Sequence, residues 1–312
     1  EKAYTLVSSY THAVVFDGDP VLIGERINPT GKPKIKEALR QGDFSIILKE
    51  GLRQGQAGAQ MLDCNAGLPE IDEPAVLCQL VSELQRVCDL PLQIDTTDPV
   101  AAERCARIYN GKPLINSVNG SEQSMAAILP IVKKYGAAVI ALTMDEKGIP
   151  ETAEERCAIA EKIVKRAAMY GIDQKNIIAD PLALTISSDA KSAAVTLQSL
   201  ELIRQRLGIQ TSLGVSNISF GLPARDQINA AFFTMALERG LGAAIMNPFS
   251  DEMMNSYRAY RALKGWDANC SGWIAAAADP VQKPSADSSQ IDMQLTLSQA
   301  ILQGMTELAA QR

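Results

Sequence analysis

Leu92-Gln-Ile-Asp95, followed by Pro99–Tyr109, sets the pattern of the whole chain: a short, mostly apolar run closes on a polar residue, and a helix-like stretch comes next. Upstream, Val21–Ile23 runs into Glu25-Arg-Ile-Asn28, and Met61-Leu62 into Asp63-Cys-Asn65. Downstream, Leu114-Ile115 reaches Asn116, Ala138–Leu142 reaches Thr143 and Ile177–Ala179 reaches Asp180. Ser212–Val215 then reaches Ser216-Asn217, and Ala243–Met246 reaches Asn247. Strands that read as almost continuous apolar runs are those buried on both faces, as in a parallel sheet. A parallel neighbour needs a crossover, and each intervening segment is long enough to supply a helix. Eight such units predict an α/β fold of the (β/α)₈ barrel type, whose site lies at the C-terminal ends of the strands. The carboxylates and carboxamides fall there, a lining suited to a flat, polar heterocycle.

The helices agree with that count. Ser45–Ala57, Glu73–Val87, Pro99–Tyr109, Glu122–Tyr135, Ala153–Tyr170, Ala193–Leu207, Asp226–Arg239 and Asp251–Leu263 carry apolar residues at three- and four-residue spacings. Thr97/Asp98, Ser121 and Thr152 (with Glu155 three residues on) are expected N-caps. Gly58, Gly136, Gly171, Gly208 and Gly240 are expected stops. A doubly wound open sheet shares the alternation. Its G-x-G-x-x-G fingerprint is missing, because the first strand ends Gly24-Glu-Arg-Ile-Asn28.

The 312 residues carry 30 basic and 36 acidic side chains, a net charge of −6, which offers nothing to attract nucleic acid. No apolar run approaches the ~20 residues that span a bilayer, and no signal peptide is visible. Six cysteines in no metal-binding spacing suit a reducing compartment, so a cytoplasmic enzyme without a metal in this segment is expected. Cys64 lies between Asp63 and Asn65, and strand alternation turns it away from their face, into packing. The sole histidine, His12, precedes the first strand, so Ser-His or Cys-His catalysis and histidine-rich zinc ligation have no support. What remains at the mouth is carboxylate and amide hydrogen bonding, with general-acid help from water or an Asp.

Residues 1–20 read as an N-terminal extension or interdomain linker, and 21–265 as the barrel. The Pro-, Ser- and Asp-rich stretch within 266–292 reads as a linker, and Leu295–Leu308 turns amphipathic again as the edge of a further module at 293–312.

Six strand-end motifs together resemble the pterin-binding barrels: Ile23-Gly-Glu-Arg-Ile-Asn-Pro-Thr-Gly31, Leu62-Asp-Cys-Asn-Ala-Gly67, Gln93-Ile-Asp-Thr-Thr97, Ile115-Asn-Ser-Val-Asn119, Ala179-Asp-Pro-Leu182 and Leu213-Gly-Val-Ser-Asn-Ile-Ser-Phe-Gly-Leu-Pro223. Within that group they are similar to the methyltetrahydrofolate-binding modules of corrinoid-dependent methyltransferases, including the folate domain of cobalamin-dependent methionine synthase. The resemblance covers about residues 20–265, and Leu297–Gly304 looks like the first helix of the cap that precedes a corrinoid domain. It implies binding of 5-methyltetrahydrofolate and transfer of its N5 methyl group to cob(I)alamin on a corrinoid domain or protein, with a homocysteine-binding domain upstream in a methionine synthase. Carried over by position, Asp95, Asn116 and Asp180 would hydrogen-bond the pterin, Asn217 would approach N5, and Arg225 would sit in the following loop. Asn217 and Asp180 would be the residues acting in the chemistry.

Plainer readings stand beside these. Asp63, Asn65 and Asn247 are as well suited to capping or loop bracing as to ligand contact at the rim. Glu25, Arg26 and Asn28 suit a bracing ion pair and turn there equally. Met253-Met254 reads as filler. A dihydropteroate synthase would share the pocket but needs cations for a pyrophosphate, and Ala243–Ser250 offers no Lys or Arg. A non-catalytic folate-binding module would use the same residues. A methyltransferase acting on a quaternary amine would favour aromatics, which make up only 5% of the chain. The chain carries neither a homocysteine domain's zinc-binding cysteine motif nor the D-x-H-x-x-G signature that ligates cobalamin.

Overall fold

The computed structural model describes residues 3–278. Eight parallel strands close into a barrel: β3 (Val21–Ile27), β4 (Met61–Asn65), β5 (Leu92–Asp95), β6 (Leu114–Asn119), β7 (Ala138–Leu142), β8 (Ile177–Asp180), β9 (Gln210–Gly214) and β10 (Ala243–Met246), with β10 pairing back onto β3. The fold is the expected (β/α)₈ barrel. The helices pack outside it: α1 (Pro33–Gln41), α2 (Ser45–Gln56), α3 (Glu73–Val87), α4 (Pro99–Ile108), α5 (Glu122–Tyr135), α6 (Ala153–Met169), α7 (Ser192–Leu207), α8 (Arg225–Glu238), α9 (Asp251–Leu263) and a short α10 (Ser271–Ala278). Helix α1 went unread in the sequence; it begins at Pro33, a residue already set for the first helical turn.

The caps are where the sequence put them. Asp98 accepts from Val100 N–H, Ser121 from Ser124 N–H and Thr152 from Glu155 N–H, and Gly136 and Gly208 close α5 and α7 in the left-handed region. The 3₁₀ turn Ala268–Cys270 and the eight-residue helix α10 occupy the start of the stretch read as linker. The rest of that stretch, and the amphipathic segment Leu295–Leu308, lie outside the described residues.

Strand alternation divides the barrel into two cores. Leu62, Cys64, Leu92 and Ile94 point outward and pack with Leu77, Leu80, Val81 and Leu84 of α3. Cys64 is fully buried there, as its position between Asp63 and Asn65 required. Val21, Ile23, Met61, Leu114, Ala138, Ile140, Ile178 and Ala243 point inward and fill the barrel.

The lower end of that inner core is closed by residues read as extension or linker. β1 (Leu6–Ser8) and β2 (Ala13–Val15) form an antiparallel hairpin, and Val7 and Phe16 are buried in the same cluster as the barrel's inward side chains. Asp17 ties the hairpin down: it accepts from Thr5 N–H at 2.5 Å, Gln210 Nε2 at 2.9 Å and Lys175 Nζ at 3.3 Å. With its bottom stoppered, the barrel opens only at the C-terminal ends of its strands.

Candidate active site at the barrel mouth

Register decides which polar side chains meet. Asn65 lies opposite Asp95, and Asp95 opposite Asn116, so three neighbouring strands turn these groups inward at one level. Asp63, two pairs lower on the same inward face, lies opposite Gln93. On the other side of the barrel Asp180 ends β8 opposite Leu142 and is only 6% exposed.

The Asp63 and Asp95 carboxyls act on each other. Burial lifts Asp63 well above the usual carboxylate range and the neighbouring Asp95 charge lifts it further, while Gln93 Nε2 donates to Asp63 Oδ1 at 2.6 Å and opposes the shift. Burial lifts Asp95 as well, against hydrogen bonds from Asn65 and Asp63; the Asn65 Nδ2 contact to Oδ2 is 2.9 Å. A protonated Asp63 donating to an ionised Asp95 satisfies both. The inward-facing Gln93 Oε1 and Ser212 Oγ are buried without a hydrogen-bond partner, so the space beneath the mouth is polar.

Asp180 has a different environment. Leu182 N–H donates to its Oδ1 at 2.8 Å, and the Arg156 charge favours its ionised form. Burial outweighs both and pushes its pKa up to about 7. In the ligand-free protein the folded state therefore holds this proton more tightly than the unfolded chain. The stability this gives is fully present only below about 4, falls as pH rises to about 7, and is lost above that. Asp180→Asn should gain Tm over wild type at pH 8 and lose that advantage by pH 4; parallel melting curves across the range would refute the assignment.

The remaining rim is built by the β3 and β9 loops. Glu25 accepts from Ser216 Oγ at 3.0 Å, and burial raises its pKa against that bond and the charges of Lys32, Arg26 and Arg225. The brace expected at Arg26 is present, but its partner is Glu50 of α2 at 3.2 Å, leaving Glu25 to the mouth. Gly24 allows this geometry: Gln54 Oε1 accepts from Arg26 N–H at 3.0 Å and would lie 2.3 Å from a Cβ on residue 24. Asn28 and Asn247 brace their own loops, accepting from Thr30 N–H and Phe249 N–H. Asn65 does both jobs, since its Oδ1 accepts from Gly67 N–H while its Nδ2 reaches Asp95.

Asn217 is not at a strand end. β9 stops at Gly214 and a 3₁₀ turn, Val215–Ser219, carries Asn217 out to an exposed position. Its Nδ2 comes within 3.0 Å of where a Cβ on Gly214 would be, so the carboxamide folds back over the end of the barrel strand. Arg225 is not in a loop but opens α8, after Ala224 in the left-handed region. Its Nη2 donates to Ser216 O at 2.7 Å and its Nε to Ser219 Oγ at 3.0 Å, clasping the turn that holds Asn217. Three participants escaped the sequence reading. Ser216 and Lys32 sat inside quoted motifs or beside them, with no periodicity to mark them. Arg156 left a faint trace, a charge on the otherwise apolar face of α6.

The family model described as pterin binding enzyme matches residues 24–247, from the first barrel strand to the last. The chain belongs to that family. It is 32% identical over 260 residues to methylcorrinoid:tetrahydrofolate methyltransferase of Eubacterium limosum, spanning 82% of this chain and 95% of that protein. It is also 34% identical over 256 residues to methionine synthase of Mycobacterium tuberculosis, covering 77% of this chain and 22% of that much longer protein. Among solved structures, dihydropteroate synthase from Xanthomonas albilineans with 7,8-dihydropteroate superposes with a TM-score of 0.64 at 20% identity, over 83% of this chain and 98% of that one. Dihydropteroate synthase from Yersinia pestis gives 0.64 at 18% identity, over 84% and 100%. These structural likenesses establish the fold. Among the described residues no group of three or more His, Cys, Asp or Glu is placed to hold a metal ion, and no helix is long and apolar enough to cross a membrane.

Proposed function

We propose that this pterin-binding barrel is a methyltransferase that holds 5-methyltetrahydrofolate in its mouth and passes the N5 methyl group to the cobalt of a corrinoid carried by a partner domain or protein. The observation that carries the reading is the inward set Asp95, Asn116 and Asp180 on β5, β6 and β8, with the Asn217 carboxamide folded over the opening. A pterin's amino-pyrimidinone edge presents adjacent N–H donors and a carbonyl acceptor, and buried carboxylates and a carboxamide complement it. The two curated relatives support the substrates, since one is named for a corrinoid and tetrahydrofolate and the other for methionine synthesis.

The chemistry asks little of the protein beyond orientation and a proton. The Co(I) electron pair attacks the methyl carbon, the C–N5 bond breaks, and its electrons stay on N5. A tertiary amine leaves poorly unless N5 is protonated, and the Asn217 amide oxygen accepts the N5–H bond that favours this form. The same contacts serve the reverse direction, from methylcorrinoid to tetrahydrofolate, which is how the Eubacterium limosum relative is named. Where the methyl group goes on to homocysteine, a separate homocysteine-binding domain receives it. Asp63, Asn65, Glu25, Asn28 and Asn247 support the pocket from its floor and rim.

The purified protein should bind 5-methyltetrahydrofolate by calorimetry without added metal or nucleotide, and should demethylate it when supplied with cob(I)alamin. Asp180→Ala and Asn116→Ala should each weaken binding by about 1–3 kcal/mol, the cost of stranding a buried polar partner, with circular dichroism unchanged. No saturation at millimolar folate by folded protein would refute the pterin reading. Binding without methyl transfer to any cob(I)amide would leave a folate-binding module.

A further inference from the structure

Arg156, four residues into α6, is only 2% exposed, yet among the described residues no carboxylate lies within ion-pair distance of it. Its guanidinium donates instead to backbone carbonyls: Nε to Pro150 O at 3.0 Å, and Nη1 to Pro181 O at 2.8 Å and Leu182 O at 3.0 Å. Nη1 also reaches Thr196 Oγ1 of α7 at 3.3 Å, and that hydroxyl donates to Leu182 O at 2.9 Å. A buried arginine without a counter-charge is expensive to keep. The carbonyls it holds belong to the two residues that follow Asp180, and Leu182 sits at φ 64, in the left-handed region, with its N–H on the Asp180 carboxylate.

We propose that Arg156 is a positioning residue of the pterin site, which clamps the turn after β8 and supplies from behind the positive charge that balances Asp180. This rests on the reading of Asp180 as a pterin contact. The clamp joins three elements. Pro150 belongs to the loop before α6, Pro181 and Leu182 to the loop after β8, and Thr196 to α7, so the Asp180 carboxyl is held by packing remote from any ligand. The charge acts along the same line. Among the described residues the charged groups that bear on the pair are Arg156, Asp180 and, through Arg156, the exposed Asp189. The flanking strand ends offer Leu142 and Thr211, which do not titrate in this range.

The test compares Arg156→Gln, Arg156→Lys and Thr196→Val with wild type from pH 5.5 to 9. It uses calorimetric affinity for 5-methyltetrahydrofolate, together with the ¹³C titration of the Asp180 carboxyl in ligand-free protein, assigned through Asp180→Asn. In Arg156→Gln the Asp180 midpoint should rise by about one unit, so at pH 7 folate binding weakens about fivefold beyond the loss seen in Arg156→Lys, and the two variants converge by pH 9. Arg156→Lys keeps the charge and loses the forked contacts, so its midpoint should stay at the wild-type value while affinity drops at every pH. Thr196→Val should behave like Arg156→Lys. An Asp180 midpoint unchanged in Arg156→Gln, or an equal loss of affinity at every pH, would show a merely structural arginine and overturn the charge role. Wild-type affinity in Arg156→Lys and Thr196→Val would overturn the clamp; if Arg156→Gln does not fold, these two variants decide. Failure of wild type to bind folate, with the Asp180 midpoint still moving in Arg156→Gln, would reject the pterin reading and leave the Arg156–Asp180 coupling standing.

Discussion

Asn217→Ala should lower methyl transfer at saturating 5-methyltetrahydrofolate by about 10²-fold or more while changing folate affinity far less, as expected for a hydrogen bond that strengthens as the reaction proceeds. The argument starts from where the side chain sits. Asn217 rides an exposed 3₁₀ turn rather than the buried strand, so its removal strands no interior polar group and leaves no cavity. Its carboxamide is nevertheless held in place. Arg225 clasps the turn at Ser216 O and Ser219 Oγ, and Gly214 leaves the space into which the amide folds. In the ground state N5 carries a methyl group and no proton, so the amide has little to grip. As C–N5 breaks and N5 takes a proton, the amide oxygen gains a charge-assisted partner. Steady-state kinetics with cob(I)alamin, paired with calorimetry, separates the two effects. If affinity falls and turnover at saturation does not, Asn217 is a pocket wall. Gly214→Ala offers an independent check: a Cβ 3.0 Å from Asn217 Nδ2 should push the amide away and lower turnover in the same sense.

Phe16→Ala should cost about 3–5 kcal/mol of folding stability, among the largest effects of any single truncation in the chain. Phe16 is 1% exposed and packs with Val7 against Val21, Met61, Leu114, Ala138, Ile178 and Ala243, the inward side chains at the lower end of the barrel. Chemical denaturation should show a lowered midpoint with little change in slope. A loss below about 1 kcal/mol would mean that the hairpin is an ornament on a self-sufficient barrel. Folate affinity of the folded fraction should be unaffected, because the mouth lies at the opposite end of the strands.

These two residues mark the limits of what the sequence carries. The barrel was legible because its signals are local and repeated: apolar runs every 20 to 40 residues, capping side chains such as Asp98, Ser121 and Thr152, and glycines at Gly136 and Gly208. Backbone chemistry alone reads those out. The inward turn of Asp95, Asn116 and Asp180, and the outward turn of Cys64, followed from strand alternation once the strand ends were found.

Tertiary structure decided what depends on groups far apart in the chain. Leu6–Val15 is too short and too mixed in pattern to announce itself, and only the open lower end of a closed barrel gives Val7 and Phe16 somewhere to go. Arg26 chose Glu50 over Glu25 because α2 brings that carboxylate alongside. Asn217 left the strand because β9 ends at Gly214 and Arg225 pins the turn that follows. Asp63 and Asp95 came to bear on each other because neighbouring strands bury both at the mouth, and Arg156 reached the carbonyls beyond Asp180 through packing of α6. Propensity and pattern are properties of neighbours in sequence, whereas desolvation and charge pairing are properties of neighbours in space. The sequence by itself therefore determined the barrel and the ring of polar strand ends, and the closed fold determined which of those groups are buried, paired and aimed at the mouth.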